Sequence, residues 1–289
     1  MTTTQETTMQ MLERPQGRIA FADAGSGPLV VLVPGMGDTA DTWRDVVGPL
    51  VDAGHRVVTC DLRGHGASDI GFTEHGDDVT GADVLALVEH LDAGPAVLVG
   101  NSMGGSAAVW AAAQRPDLVA GLALASPFLD EPPASAFAKA ALRVAYRVLF
   151  AGPWGPWAWA TYYAGPLNKG RKAPWLAEHV AGIKADLKRP GRLREFRMLV
   201  AQLDHSVVGP VVDRVSAPAV ILVGENDPDY KDPAAELAAM GERLGARTVL
   251  VKDAAHYTQH QAPEELLEAA MALLADLPRD AERWAVTGA

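Results

Sequence analysis

Val97-Leu98-Val99-Gly100-Asn101-Ser102-Met103-Gly104-Gly105 runs from an apolar, β-branched stretch through a Gly-x-Ser-x-Gly turn into the alanine-rich segment Met103 to Gln114. A strand feeding a sharp turn and then a helix is the setting in which such a serine is presented as a nucleophile. Gly100 and Gly104 have to be small, because a side chain at either place in so tight a turn would meet neighbouring backbone. The turn lifts Ser102 into the open. It also sets the hydroxyl at a helix N-terminus, where free N–H groups and partial positive charge favour a developing anion. An ordinary serine N-cap looks the same in sequence, so the turn needs partners before it carries chemistry.

A serine hydroxyl is inert near neutral pH unless a base takes its proton, and the base must itself be oriented by a third group. Val220-Ile221-Leu222-Val223-Gly224-Glu225-Asn226-Asp227-Pro228 is an apolar strand running into a polar loop, which puts Asp227 just past the C-terminal edge where α/β sheets place their sites. After a further strand around Val249 comes Asp253-Ala254-Ala255-His256-Tyr257, again at a strand end. Asp229, Glu225 and Asp130 are alternative acids; the spacing from strand and histidine favours Asp227. His260 follows His256 by four residues, but no acidic cluster accompanies the two, so no metal site is expected. His55, His75, His90, His179 and His205 sit in no motif, and surface or core placement is their default.

Outward from these motifs, short β-branched runs alternate with longer stretches of helical period, the pattern of parallel strands with crossover helices. Strands are predicted near Gly17 to Asp23, Leu29 to Val33, Arg56 to Cys60, Ala96 to Val99, Gly121 to Ala125, Ala219 to Val223 and Arg247 to Val251. Helices fit at Thr42 to Ala53, Thr80 to Leu91, Met103 to Gln114, Pro233 to Leu244 and Pro263 to Leu277. The alternation stops from about Pro127 to Pro210, which reads as helices broken by Gly-Pro turns. Residues 1–126 and 211–289 are therefore expected to form an α/β core, and 127–210 a helical cap inserted in it. That segment holds Trp154, Trp157, Trp159 and Trp175 with Tyr146, Tyr162 and Tyr163, and twelve Lys or Arg against six Asp or Glu. An aromatic cluster of this kind is most often the small core of the lid helices, but apolar side chains over a serine would also exclude water and favour a hydrophobic substrate. The basic residues read first as a solvated face, and second as an attraction for an anionic substrate.

At 289 residues and 48% hydrophobic content, the chain is long enough to bury roughly 75% of its surface without disulfides or metals. The single Cys60 cannot form an internal disulfide or a multi-cysteine zinc site, which fits a reducing, cytoplasmic setting. A net charge of −11 argues against nucleic acid as a partner. Met1 to Arg18 is polar, with neither the early positive charge nor the apolar run of an export signal. Val148 to Asn168 is free of charge, but its Gly152-Pro153, Gly155-Pro156 and Gly165-Pro166 pairs argue against a membrane span.

Together the motifs resemble the α/β-hydrolase superfamily over nearly the whole chain except the cap. The order Ser102, Asp227, His256 is that family's triad order. Val33-Pro34-Gly35-Met36-Gly37 stands where the family usually has His-Gly, Asp61-Leu62-Arg63-Gly64-His65-Gly66-Ala67-Ser68 is similar to its Asp-x-Arg-Gly-x-Gly-x-Ser loop, and His256 with Pro263 resembles its histidine loop and final helix. The resemblance implies an α/β-hydrolase fold: a mostly parallel twisted sheet of about eight strands, helices on both faces and an inserted helical cap. It implies oxyanion donors in the N–H groups of Met36 and Met103, a structural role for His65, and no cofactor. Pro34 departs from the pattern by removing a side chain that often braces the oxyanion loop in relatives.

The expected function is that of a cap-bearing serine hydrolase cleaving a carboxylic ester of a small to medium hydrophobic, potentially anionic substrate through an acyl-enzyme. Trp154, Trp157, Trp159 and Tyr257 are the expected substrate contacts. A carbon–carbon hydrolase of the meta-cleavage-product type, a cofactor-free perhydrolase and a non-enzymatic ligand receptor on the same fold are the competing readings. A serine at the elbow disfavours haloalkane dehalogenase and epoxide hydrolase chemistry, which forms an alkyl ester on a carboxylate.

Overall fold

Every residue of Leu29–Val33 is buried, and its two faces are buried in different places. Leu29, Val31 and Val33 join an apolar cluster with Leu98, Leu122, Leu124, Ile221 and Val223. Val30 and Leu32 join a second cluster with Val97, Val99, Ala123, Val220 and Leu222. Side chains alternate across a strand, so a strand covered on both sides has to be apolar without interruption. The computed structural model in which this is seen describes residues 9–131, 144–146 and 148–277.

Eight strands make one sheet: β1 (Met9–Arg14), β2 (Gly17–Gly25), β3 (Leu29–Val33), β4 (Arg56–Cys60), β5 (Ala96–Asn101), β6 (Val119–Ala125), β7 (Ala219–Gly224) and β8 (Arg247–Val251), in the order β1-β2-β4-β3-β5-β6-β7-β8. The pairs β1–β2 and β2–β4 are antiparallel and the rest parallel. The helices are α1 (Arg44–Asp52), α2 (Asp77–Leu91), α3 (Met103–Gln114), α4 (Gly155–Ala164), α5 (Leu176–Leu187), α6 (Arg192–Gln202), α7 (Pro233–Leu244), α8 (Thr258–Gln261) and α9 (Pro263–Asp276). Val84 and Leu87 of α2, Val109 of α3 and Leu237 of α7 fill the first cluster; Val46 and Leu50 of α1 and Leu266 and Leu273 of α9 fill the second. The sheet is thereby clad on both faces.

Two departures from the sequence reading have local causes. β1 falls in a stretch read only as polar: Leu12 is its one buried side chain, and the strand is held by backbone pairing along β2. Where a continuous helix was expected from Thr42, a 3₁₀ turn (Ala40–Trp43) precedes α1, burying Trp43 before the helix begins at Arg44.

Between β6 and β7 the described residues contain no strand. They hold α4, α5, α6 and several 3₁₀ turns, packed on an apolar cluster of their own around Phe150, Trp159, Tyr163, Leu176 and Phe196. Tyr257, from the loop after β8, joins that cluster and so connects it to the sheet. Val148 to Asn168 is broken at its Gly-Pro pairs into a 3₁₀ turn, α4 and a second 3₁₀ turn. Among the described residues no helix is long and apolar enough to cross a membrane. Residues 1–8, the stretch 132–143 and residue 147 inside the expected cap, and 278–289 lie outside the described residues.

Candidate active site

Ser102 stands alone between the end of β5 and the start of α3, with φ 54° and ψ −124°. For a residue with a Cβ this conformation costs of order 1–3 kcal/mol and persists only where its surroundings enforce it. They do so here. The Ser102 N–H donates to the Ala125 carbonyl at 2.8 Å, and the Ser106 N–H donates to the Ser102 carbonyl at 3.0 Å. The neighbouring Asn101 Nδ2 donates to the Ala125 and His256 carbonyls at 3.2 and 3.0 Å, tying the turn to the histidine loop. A Cβ on Gly100 would strike the Gly104 carbonyl, and one on Gly104 would strike the carbonyls of Val33 and Pro34. The smallness required at both positions is thus imposed by backbone.

His256 is buried and its Nδ1 lies 2.9 Å from Asp227 Oδ2 and 3.1 Å from Oδ1. Asp229 Oδ2 is 3.4 Å from the same nitrogen. The Asp227 carboxylate is fixed in turn by the Asp229 N–H, which donates to Oδ1 at 3.1 Å. Burial opposes charge on the imidazole, but the Asp227 and Asp229 carboxylates and the Asp227 hydrogen bond outweigh it, and the His256 pKa rises to about 9. Burial likewise favours the neutral acid at Asp227, yet the His256 charge and hydrogen bond hold it below its ordinary value. With Nδ1 engaged, Nε2 is the ring nitrogen left to take a proton.

Ser102, His256, Met36, Trp159 and Tyr257 line one cavity of about 220 Å³. Trp154 and Trp157 are not among its walls; they are 52% and 64% exposed, the geometry of surface aromatics rather than substrate contacts. Tyr146 and Tyr162 of the expected aromatic cluster also line it, and the walls not singled out in the sequence are Leu149, Phe150, Leu167 and Val200, apolar residues whose inward face no local motif marks. Asp229, set aside as an alternative acid, also lines the cavity and accepts a hydrogen bond from the Tyr162 hydroxyl at 3.1 Å. Met103 opens α3, so its N–H has no acceptor inside the helix. Met36 is in the loop after β3, beside Ser102 in the cavity wall.

Pro34 leaves the loop around Met36 without a histidine brace, and the structure holds that loop from the other side. Trp159 Nε1 donates to the Gly37 carbonyl at 2.9 Å, and the Tyr163 hydroxyl donates to Asp38 Oδ2 at 2.8 Å. His179 Nε2 is 2.7 Å from Asp38 Oδ1, and its Nδ1 is 3.1 Å from Asp41 Oδ2. Asp38 is fully buried. All three partners come from α4 and α5.

None of the other histidines lines the cavity of Ser102. His65 is buried with Nδ1 2.8 Å from the Arg63 carbonyl, and His205 Nδ1 is 2.7 Å from Asp77. Burial lowers the His260 pKa to about 3. Among the described residues the one group of acid and histidine ligand atoms close enough to hold an ion is Asp227, Asp229 and His256, and its nitrogen is already hydrogen-bonded.

Comparison with known proteins agrees with this architecture. The sequence model of the Alpha/beta hydrolase family matches residues 30–269. The AB hydrolase superfamily protein YfhM of Bacillus subtilis (strain 168) is 25% identical over 258 residues, covering 85% of this chain and 89% of that protein. A thermophilic esterase from Thermogutta terrifontis, solved with malate bound, superposes with a TM-score of 0.71 at 25% identity, over 92% of this chain and 98% of that one. Epoxide Hydrolase A from Mycobacterium thermoresistibile gives 0.72 at 24% identity, over 94% and 99%. One fold hosts both chemistries, so the reaction has to be argued from the residues at the elbow. By its family match and its eight-stranded sheet, the chain belongs to the alpha/beta hydrolase family.

Proposed function

We propose that this hydrolase cleaves carboxylic esters of small to medium hydrophobic molecules through an acyl-enzyme on Ser102, with residues 127–210 acting as its lid. The observation that carries the reading is a serine, in a conformation its surroundings enforce, sharing a cavity with a histidine whose Nδ1 is held by a buried carboxylate. His256 Nε2 takes the Ser102 proton as Oγ bonds to the ester carbonyl carbon, and the carbonyl π electrons move to oxygen. The Met36 and Met103 N–H groups stabilise that oxyanion. As it collapses, the carbon–oxygen bond to the alcohol breaks and His256 passes its proton to the leaving alkoxide. Water then repeats the sequence on the acyl-enzyme, with His256 as base, and releases the acid. Asp227 keeps the histidine in the required tautomer and favours its charged form.

Epoxide opening in this fold uses a carboxylate at the elbow, a position Ser102 fills here. A fluorophosphonate probe should label Ser102, and p-nitrophenyl butyrate should show a burst followed by steady turnover. Ser102→Ala should abolish both, a loss of order 10⁶ in kcat if the triad acts as a unit. Labelling at another residue, or epoxide turnover that survives Ser102→Ala, would overturn the reading.

A further inference from the structure

Helix α6 has two unlike faces. Arg192, Glu195, Phe196 and Leu199 are buried, at the i, i+3, i+4, i+7 spacing of one stripe. Arg194, Arg197, Met198 and Ala201 repeat that spacing on the other side and line a second cavity of about 330 Å³. This cavity shares Tyr146, Phe150 and Val200 with the one that holds Ser102 and His256, so these three side chains border both spaces.

The arginines nearby are spoken for: Arg189 donates to the Gly66 carbonyl at 2.7 Å and to Asp186 at 2.7 Å, and Arg192 donates to the Gly66 carbonyl at 2.9 Å. Arg194 and Arg197 have no acidic partner among the described residues, and the stretch 132–147 contains no Asp or Glu to supply one. Two like charges one helical turn apart repel each other when nothing neutralises them. Gln202, the other polar wall, is already used at both ends of its amide by Thr73 and His75. On the other side of those shared side chains the charge is negative, since Asp229 lines the cavity of Ser102 beside His256. An anionic group on a substrate is therefore repelled from the reacting centre and attracted to the arginines.

We propose that Arg194 and Arg197 form an anion subsite for substrates that carry a carboxylate at the end of an apolar arm, the arm lying against Tyr146, Phe150 and Val200 while the ester carbonyl meets Ser102. This rests on the esterase reading and narrows its substrate class. The planar guanidinium suits a carboxylate better than an ammonium does, since it can donate two parallel hydrogen bonds.

The test compares p-nitrophenyl octanoate with the mono-p-nitrophenyl ester of the eight-carbon dicarboxylic acid. The acid-terminated ester is expected to have a kcat/KM about tenfold higher at low ionic strength, from two exposed charge pairs. The advantage should shrink as salt shortens the screening length from ~30 Å at 0.01 M to ~8 Å at 0.15 M. Arg194→Gln with Arg197→Gln should bring the ratio to about one, and the double lysine variant should keep part of it. A wild-type ratio of one or less, or a ratio that survives the double glutamine variant, overturns the subsite. If neither ester is hydrolysed, the esterase reading has failed and binding still decides the subsite. By calorimetry octanoate should bind the wild type about tenfold more tightly than the double glutamine variant, and equal affinities would overturn it.

Discussion

His256 lies between two carboxylates of unequal burial: Asp227 is enclosed, whereas the Asp229 side chain is 28% exposed and turned toward the cavity. In the mechanism proposed above only neutral imidazole accepts the serine proton, so with a pKa lifted to about 9 the expected kcat/KM rises with pH through a midpoint above the ordinary histidine value of 6.5. Asp229→Asn removes one of the charges that favour imidazolium, and its midpoint should move to lower pH while activity on the alkaline plateau persists. An unmoved midpoint would show that Asp229 does not act on His256. Ser102 permits a second measurement. Glycine tolerates φ 54° where serine is strained, so Ser102→Gly should abolish turnover and raise unfolding free energy by about 1 kcal/mol in urea titration. Ser102, Asp227 and His256 could be singled out in advance because each sits at a strand end in a recognisable turn, and the structure sets Ser102 and His256 in one cavity with Asp227 bonded to the histidine. Asp229 was less so: its reach to the histidine depends on how the Asp227 loop closes, which spacing alone leaves open.

Helices α4 and α5 hold the loop that contains Met36, through Trp159, Tyr163 and His179. Burial works against a charged His179, but Asp38 and then Asp41 outweigh it and raise its pKa to about 9. A histidine pKa higher in the folded than in the unfolded chain stabilises fully below about 6.5, and that stabilisation is lost as pH climbs through the folded value. At pH 6, His179→Gln should therefore cost about 3–5 kcal/mol in urea unfolding, the range for stripping the cation from a buried pair. The gap between wild type and variant should narrow by pH 10. The same variant should lower kcat about tenfold with KM nearly unchanged, less than the ~10²–10³ lost when an oxyanion donor is removed outright. A pH-independent gap would mean that His179 stays neutral. From sequence, Pro34 signalled a missing brace but not its replacement. Asp38 and His179 are far apart in the chain and neither belongs to a motif, so their meeting depends on how α5 docks.

Across the molecule, what could be read in advance follows the repeat distance of the pattern. Apolar runs buried on both faces announced the central parallel strands β3, β5, β6 and β7, and the break after β6 announced the intervening helices. β1 stayed hidden because an antiparallel edge strand with one buried side chain carries almost no pattern of its own. The aromatic segment was legible as a cluster but not by face: Trp159 turns into the cavity while Trp157, two residues away on α4, faces solvent. That separation sets up a test of what chooses the substrate. Each methylene buried in the cavity contributes about 0.8 kcal/mol, or roughly fourfold in kcat/KM, until the space is filled. A p-nitrophenyl ester series should therefore rise steeply from acetate and then level off. Val200→Phe, which fills part of the wall shared by the two cavities, should move that plateau to shorter chains. Trp157→Ala, on a residue outside both walls, should leave the profile in place. A plateau unmoved by Val200→Phe, or displaced equally by Trp157→Ala, would place chain-length selection somewhere other than this cavity.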